Sequence, residues 1–566
     1  MAKVLSRIKI DKIGYGGVGL ARMSDGKRIL IKGGALPGSI VDLKIVKQRK
    51  DYVEAHITHI VELDPKIVDG EIFCPHFFWE EKELQDSRFK LQAKFKIGCG
   101  GCKWQMLSYK NQLKLKEDIV NDAFTKIKKR LPELEVLPII GSPEEKNYRN
   151  KIEFSFGKYI TKGSCPTLSS VDVIPTKAGI HLAKHGFPIR SGMTSVVGGE
   201  GLGLPAVGRG EVTNVTLSDR SVGFHKQGEF SKIIDIDNCA LISDEANAIF
   251  QHIKKLCKAS GLPVYDQMTH QGFFRHLVIR EGTNTDQFLV NLSVADNNIK
   301  EKNTKKRENF LEILKKDTIL NEKVTTFVVT YNNGLADTIR NNESVTKTFW
   351  GEGSIYEKLI FKTKNDDNQE LTTKDQGLTT VSFRVSPFSF FQTNTLGAQQ
   401  LFNQAMNMVG HIEGTILDLY CGTGTIGISF LKLGKGNKLV GIEIVQEAIT
   451  DAGYNAKING LEDKVIFLAN PAEKAFTQTP EIKEKLKTLG LVIIDPPRDG
   501  LHKNVVQMIC DLKKESDFKL LYISCNPVTM VRDIELLIQG GFSIKEIQPV
   551  DMFPQTHHIE CIGILS

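Results

Sequence analysis

Short apolar runs alternate with longer amphipathic stretches over the last third of the chain. Four of these runs are Thr415–Tyr420, Lys438–Ile444, Gly490–Asp495 and Lys519–Ser524. Runs of this length, separated by stretches with the apolar spacing of helices, are typical of buried parallel strands joined by helices. We therefore predict an α/β domain over residues 386–566, built as a doubly wound parallel sheet.

A different pattern of apolar positions marks the N-terminus. Short strands over residues 1–60 are separated by glycine-rich turns, of which Gly14–Gly19 is the first. Strands at this spacing with glycine between them predict a small β-barrel as the first domain. Residues 61–385 mix helix and strand patterns, and we assign them to a central α+β domain with insertions at about 75–98 and 161–222.

Composition adds only broad limits to this picture. The 566 residues are 41% hydrophobic and 25% charged, which is ordinary for globular proteins and excludes a fibrous or wholly disordered chain. No apolar stretch is long enough to cross a membrane, and the first residues lack the apolar core of a signal peptide. We therefore expect a cytoplasmic protein with no membrane partner, in which the ten Cys residues stay reduced. Clustered Cys residues in such a protein more often serve metal binding or catalysis.

The positive charge of the chain is confined to its first domain. Residues 1–60 hold 12 Lys and Arg against five Asp and Glu, whereas the rest of the chain holds 62 of each sign. A small basic module ahead of a neutral body is typical of nucleic-acid binding. The alternative is a solvated basic face without a partner.

Glycines follow the first predicted strand of the C-terminal domain, where residues 422–427 spell GxGxxG. This motif alone occurs in dinucleotide-binding enzymes and in methyltransferases. Asp418, four residues before the turn, favours the cationic methionine group of S-adenosylmethionine over a pyrophosphate. Glu443 ends the second strand and can bind ribose hydroxyls, while 495–498 (DPPR) forms a rigid loop that can hold a planar substrate. The sequence therefore predicts a Rossmann-like S-adenosylmethionine-dependent methyltransferase.

Cys525 follows the fourth predicted strand and precedes an Asn-Pro pair. A lone Cys is more often a small buried apolar residue. This one lies just past the carboxyl end of a strand, where doubly wound sheets carry their catalytic and ligand-binding residues. A thiolate that adds to carbon 6 of uracil makes carbon 5 nucleophilic toward a methyl donor. The proton on carbon 5 must then be removed, and Glu560 is the predicted base, with His557 and His558 as alternatives.

These residues fall within blocks that resemble the RNA uracil-5-methyltransferase family, whose members act on ribosomal or transfer RNA. Besides Glu443, the blocks are SPFSFFQTN at 386–394, DLYCGTG at 418–424, DPPR at 495–498, SCNP at 524–527 and HHIE at 557–560. The resemblance implies that the cofactor contacts are Gln392, Tyr420, Glu443 and Asp495, with Cys525 as nucleophile and Glu560 as proton acceptor. Asn470-Pro471 stands where the family has an acidic cofactor contact, so that contact stays open.

Cys74 and the CxxC pair Cys99 and Cys102 form a candidate metal site. Cys165 and Cys239 are the candidates for a fourth ligand, and the resemblance favours Cys239. It also implies a [4Fe–4S] cluster, with a zinc site of four thiolates as the open alternative. The 24 residues between Cys74 and Cys99 exceed the family's usual spacing, and we predict an inserted charged helix over Trp79–Lys96.

The N-terminal barrel resembles a TRAM domain, an RNA-binding module, at its Gly14–Gly19 turn and at 35–38 (ALPG). The leading hypothesis is therefore methyl transfer from S-adenosylmethionine to carbon 5 of a uridine in 23S ribosomal RNA, because family members that act on transfer RNA often lack both the barrel and the Cys cluster. The alternatives are the same reaction on the T-loop of transfer RNA and a non-catalytic RNA-binding assembly factor. RNA is the expected partner, and no obligate protein partner is inferred.

Overall fold

A computed structural model describes residues 4–64, 66–81, 94–97, 99–161, 216–226, 229–296, 303–362, 377–474, 482, 484 and 486–566. The chain divides into two units, of which one comprises Met1–Tyr159 and Asp219–Ser566. The other unit, Ile160–Ser218, lies almost entirely outside the described residues. No helix in the described part of the chain has the length and apolarity needed to span a bilayer.

Residues 4–62 form six strands of a largely antiparallel sheet. These strands are β1 (Val4–Lys9), β2 (Lys12–Gly14), β3 (Val18–Arg22), β4 (Arg28–Lys32), β5 (Ile40–Gln48) and β6 (Tyr52–Glu62). They pair in the order β1-β5-β6-β4-β3-β2, all antiparallel except β4 with β6. Only two residues of the chain separate β1 from β2. We call this body, which the sequence predicts to be a small β-barrel, the N-terminal barrel. Its alternating apolar residues fill a separate small core.

The segment between Cys74 and Cys99 differs from the prediction. Strands β7 (Phe78–Glu81) and β8 (Lys94–Ile97) pair antiparallel and extend the barrel's sheet, with Phe78 opposite Ile97. The predicted helix over Trp79–Lys96 is therefore wrong at both ends, where the chain forms paired strands instead. Residues 82–93 lie outside the described residues.

A second sheet forms the centre of the chain. Its strands are β10 (Lys151–Thr161), β11 (Thr216–Lys226), β12 (Glu229–Asp235), β13 (Phe274–Gly282), β14 (Gln287–Val294), β15 (Thr326–Tyr331) and β16 (Val345–Trp350), in the order β12-β11-β10-β13-β14-β15-β16. The associated helices are α2 (Asp244–Ala259), α3 (Thr304–Lys316) and α4 (Thr318–Lys323). The last residues of the predicted 161–222 insertion thus belong to a strand, while residues 162–215 lie outside the described residues.

The C-terminal sheet confirms the predicted α/β class. Its strands are β19 (Thr415–Leu419), β20 (Lys438–Glu443), β21 (Val465–Ala469), β22 (Leu489–Ile494), β23 (Lys519–Ser524), β24 (Ile544–Val550) and β25 (Glu560–Leu565). Strands β21-β20-β19-β22-β23 are parallel, followed by antiparallel β25 and then β24. The helices are α5 (Thr395–Val409), α6 (Thr425–Lys432), α7 (Gln446–Ile458), α8 (Lys503–Glu515) and α9 (Pro527–Gln539). A hairpin, β17 (Ile355–Lys362) and β18 (Leu378–Val385), precedes the sheet.

Both faces of this sheet are buried. In β22, Val492 and Ile494 join one core cluster, while Leu491 and Ile493 join another on the opposite face. Two elements from upstream complete the assembly: α1 (Tyr109–Lys128) packs against α9, and β9 (Glu135–Val136) pairs with the edge strand β24. Parallel strands that are covered on both faces consist of nearly continuous apolar residues. These strands could therefore be predicted from the sequence.

Candidate active site

The turn after β19 has left-handed backbone at alternate residues. Tyr420, Gly422 and Gly424 have φ values of +64°, +54° and +79°, and α6 begins at Thr425. A Cβ added at Gly422 would meet nothing within 4 Å, so a ligand can approach the backbone there. A Cβ at Gly424 would lie 2.7 Å from a side-chain atom of Ile428, so glycine is required for packing as well as for conformation.

Three carboxyl groups surround this turn. Asp418 is buried, and its Oδ2 accepts a hydrogen bond from the Gly427 amide at 3.0 Å, while its Oδ1 has no partner. Burial, with Asp495 and Glu443 nearby, raises the pKa of Asp418 to about 8. Burial likewise raises the pKa of Asp495, directly after β22, to about 7. A buried carboxyl with an unused oxygen fits a cationic or hydrogen-bond-donating ligand.

Glu443, at the end of the neighbouring strand β20, accepts hydrogen bonds from this turn and from the residues that follow β20. One carboxylate oxygen accepts from the Gly422 amide at 3.3 Å, and the other accepts from the amides of Ile444 and Val445 at 2.8 and 3.0 Å. The amide of Asn470 donates to the Glu443 carbonyl at 2.9 Å. The segment in which Asn470-Pro471 stands in place of the family's acidic cofactor contact therefore lies beside Glu443. The role of Asn470 stays a question for experiment.

The segment that carries Gln392 is fixed by the central sheet. The side-chain amide of Asn150 donates to the Gln392 carbonyl at 2.9 Å and to the Thr395 hydroxyl at 2.7 Å. The hydroxyl of Thr423 donates to the Phe390 carbonyl at 3.2 Å. The predicted contacts Gln392, Tyr420 and Glu443 thus belong to segments that meet at the same turn.

Cys525 lies in the short connection between β23 and α9. The next residue, Asn526, caps α9 by accepting from the amides of Val528 and Thr529, and its side-chain amide donates to the Arg498 carbonyl at 2.9 Å. Burial raises the pKa of Cys525 to about 11; Glu560 and Asp495 act in the same direction, while Arg498 opposes them. The thiol and the 495–498 loop are therefore held together by the cap of one helix.

Glu560 begins β25 next to β23, where Ser524 pairs with Cys561. Burial, with Asp495 nearby, raises the pKa of Glu560 well above its usual range. The pKa values of His557 and His558 are lowered to about 3 and about 4, chiefly by burial. Among the three candidate bases, the ionised form of Glu560 has the highest proton affinity, because a raised pKa means a stronger base.

Two residues near the thiol were not predicted as site residues. Arg498 opposes the rise in the pKa of Cys525, and only its place in the DPPR block marked it. Tyr15 of the N-terminal barrel donates a hydrogen bond to the Cys525 carbonyl at 3.3 Å. Its only signal in the sequence was the glycine-rich turn that contains it.

The four predicted metal ligands line one cavity of about 390 Å³, together with His76, Gln105 and Arg149. These ligands are Cys74, Cys99, Cys102 and Cys239, all with free thiols. Within the described residues, no group of three or more His, Cys, Asp or Glu is arranged so that it could hold a metal ion. Cys165 lies outside the described residues.

Comparison with known proteins identifies the family. The sequence profile of the tRNA (uracil-5-)-methyltransferase family matches residues 291–566. An uncharacterized RNA methyltransferase of Clostridium acetobutylicum is 30% identical over 98% of this chain and 96% of its own length. The chain belongs to the RNA methyltransferases of this family.

Other relatives of this methyltransferase match over nearly its whole length. An uncharacterized RNA methyltransferase of Caldanaerobacter subterraneus is 29% identical over 99% of this chain and 98% of its own. The fold is shared with a crystal structure of Pyrococcus abyssi tRNA (uracil-54, C5)-methyltransferase in complex with S-adenosyl-L-homocysteine. The two sequences are 22% identical, the TM-score is 0.62, and the structural alignment covers 99% of this chain and 100% of that protein's chain.

Proposed function

We propose that this chain transfers a methyl group from S-adenosylmethionine to carbon 5 of a uridine in RNA. The observation that carries the proposal is the meeting of Cys525, Glu560 and Asp495 at the carboxyl edge of the C-terminal sheet, each with a pKa raised by burial, which for Cys525 and Glu560 is reinforced by neighbouring acidic groups. Perturbed titratable groups that cluster beside a glycine turn are typical of active sites.

In the proposed reaction, the Cys525 sulfur forms a bond to carbon 6 of the uracil, and the electrons of the 5,6 double bond move toward carbon 5 and the carbonyl. When bound, S-adenosylmethionine would supply the electrophilic methyl group that carbon 5 takes, and S-adenosylhomocysteine would leave with the electrons of the broken sulfur–methyl bond. Glu560 accepts the proton from carbon 5, which re-forms the double bond and releases the Cys525 thiolate. Asp495 and its two prolines hold the plane of the uracil.

The residues around the turn fit the cofactor. Asp418 offers a buried oxygen without a partner, and Gly422 opens space for the ligand at the backbone. Gln392, Tyr420, Glu443 and Asp495 are the proposed contacts. A cationic sulfonium near Asp418 and Asp495 would favour their ionised forms, because an opposite charge lowers the pKa of a carboxyl.

We propose 23S ribosomal RNA as the substrate, with the N-terminal barrel as a TRAM-like RNA-binding module. The basic excess of residues 1–60 supports a barrel that binds RNA. A second candidate is transfer RNA, favoured by the fold shared over the whole chain with the Pyrococcus abyssi tRNA (uracil-54, C5)-methyltransferase. The barrel alone does not distinguish the two substrates.

Mapping of 5-methyluridine in ribosomal and transfer RNA from a deletion strain tests the function. We expect one uridine in 23S RNA to lose its methyl group and to regain it when the gene is restored. Loss confined to transfer RNA would assign the second candidate. An unchanged modification map would contradict the enzyme and favour the RNA-binding assembly factor.

We also propose that Cys74, Cys99, Cys102 and Cys239 hold a [4Fe–4S] cluster. The proposal is supported by the four Cys residues lining one cavity of about 390 Å³, since such a cluster takes four thiolate ligands. When bound, such a group would fix the CxxC loop to the central sheet, and methyl transfer requires no electrons from it. Anaerobically purified protein should be brown, and Cys102→Ser should bleach it. Stoichiometric zinc without iron would contradict this assignment.

A further inference from the structure

The Tyr15–Gly17 turn of the N-terminal barrel reaches the candidate active site. Tyr15 lies between β2 and β3, and its hydroxyl donates to the carbonyl oxygen of Cys525 at 3.3 Å. Gly17 has a φ of +69°, and a Cβ built there would lie 3.1 Å from Cγ of His557. One barrel turn therefore lies against both the Cys525 connection and the segment that leads into Glu560.

Contacts within the protein hold this turn in place. Ile13 and the ring of Tyr15 pack into the core cluster that includes the buried face of α1. Lys12 Nζ lies 2.6 Å from the Asp122 carboxylate on α1. Because these contacts require only the chain itself, the turn occupies the site before any RNA binds.

We propose that Tyr15 is a positioning residue for the nucleophile, an inference that rests on the proposed uridine methylation. The direction in which the Cys525 side chain points is set by its backbone. On one side Ser524 is fixed in β23, and on the other Asn526 is fixed by the Arg498 carbonyl. Between them, the Tyr15 hydroxyl donates to the backbone carbonyl of Cys525 itself.

The pKa of Tyr15 is consistent with a hydroxyl that always donates its hydrogen bond. Burial and the nearby Cys525 raise the pKa of Tyr15 to about 12, so the hydroxyl keeps its proton at physiological pH. A small displacement of an attacking atom is enough to slow a reaction strongly. The barrel therefore has two tasks, binding RNA with its basic surface and completing the catalytic site with one turn.

The test measures covalent capture of RNA by the full-length chain with S-adenosylmethionine present. The probes are transcripts of 23S ribosomal RNA and of transfer RNA in which 5-fluorouridine replaces uridine. After methyl transfer, carbon 5 of this analogue carries fluorine instead of a removable proton, so the covalent adduct persists. Tyr15→Phe keeps the ring and removes the hydroxyl. Tyr52→Phe, in β6 of the same barrel, is the matched control.

We expect Tyr15→Phe to form the adduct about tenfold more slowly at saturating RNA. Its RNA affinity, measured in a Cys525→Ala background where no adduct forms, and its melting temperature should match those of the chain with Tyr15 intact. Tyr52→Phe should capture RNA at the wild-type rate. Gly17→Ala, which pushes a Cβ toward His557, should reproduce the slow capture independently.

Capture by Tyr15→Phe at the wild-type rate would overturn the inference. So would a defect that vanishes at saturating RNA, because it would assign Tyr15 to RNA binding alone. A wild-type chain that captures neither transcript would overturn the proposed function and this inference with it, whereas the two outcomes above leave the proposed function intact.

Discussion

Cys525 and Glu560 share one site, yet their removal should have opposite effects on RNA. Cys525→Ala should abolish both methylation and the covalent adduct, because carbon 6 is never attacked. Glu560→Gln should permit attack and methyl transfer but leave no base for the carbon 5 proton. The stalled protein–RNA complex should then accumulate as a slow band on a denaturing gel.

Two substitutions control for general damage to the fold. Cys257→Ala removes a thiol from α2 in a different core cluster, and Glu546→Gln alters a carboxylate on β24. Both should methylate RNA at nearly the wild-type rate. Normal turnover by Glu560→Gln would place the base elsewhere, although the lowered pKa values of His557 and His558 make either a weak replacement.

Asp418 gives cofactor binding a pH dependence of definite sign. Without a ligand its pKa is raised to about 8, so below that pH it must lose a proton when a cation binds. Affinity for S-adenosylmethionine should therefore rise with pH by up to about tenfold per unit and level off above about pH 8. Calorimetric titration at several pH values measures the slope. Asp418→Asn should make the slope shallower, leaving the part due to Asp495, whereas Asp463→Asn, on an exposed turn, should not change it.

At the level of single residues, the sequence is informative where strands end. Asp418, Glu443, Asp495 and Cys525 all lie at the carboxyl ends of parallel strands, which meet at one edge. Their individual roles stay predictions. Tyr15 could not be predicted, because its contact joins residues 510 positions apart and depends on how the barrel packs against α1.

Among the elements, α1 is tied to the catalytic segment by a buried ion pair. Lys116 Nζ lies 2.6 Å from Asp551 Oδ1, and both side chains are fully buried. Lys116→Ala should lower the free energy of unfolding by about 3–5 kcal/mol, because it leaves a buried charge without a partner. Urea denaturation measures the change. Lys114→Ala, exposed on the same helix, should change it little.

A smaller effect would contradict the pair's role in holding the segment that precedes Glu560. The same Lys116 ammonium donates to the Phe553 carbonyl at 3.1 Å, and Asp551 also accepts from the Tyr109 hydroxyl at 3.0 Å. The variant should therefore lose methylation activity together with stability.

Elements with strong periodicity were predicted correctly, and short or paired ones were not. The four apolar runs of the C-terminal domain are strands, since burial on both faces leaves a clear pattern. β9 is only two residues long and is defined by its partner β24, so no local pattern could identify it. The helix predicted over Trp79–Lys96 shows the same limit at its two ends, where β7 and β8 are defined by pairing with each other.

For the whole molecule, the basic barrel should determine the salt dependence of RNA binding. Arg49 and Lys50 are exposed at the turn between β5 and β6. Changing both to Ala should reduce the slope of log affinity against log salt by somewhat under one unit for each RNA phosphate that the turn no longer neutralises. Filter binding over a range of salt concentrations measures the slope.

Removing the entire N-terminal barrel would test the role of its charge in RNA binding less cleanly than the Arg49 and Lys50 double variant does. Ile13 and Leu36 are buried in the core cluster shared with α1, and Tyr15 would leave the active site. We expect a chain lacking residues 1–60 to lose methylation even of short fragments. An unchanged salt slope in the Arg49 and Lys50 double variant would show that this turn does not contact the RNA backbone.

Strand β25 lies between β23 and β24 although it follows both along the chain. Because β25 begins with Glu560, the strand that fills this place in the sheet also brings in the proposed base. A chain interrupted before β25 would contain Cys525 and the turn after β19, but the edge of β23 would be unpaired. Such fragments would be prone to aggregation and would lack the residue proposed to release methylated RNA.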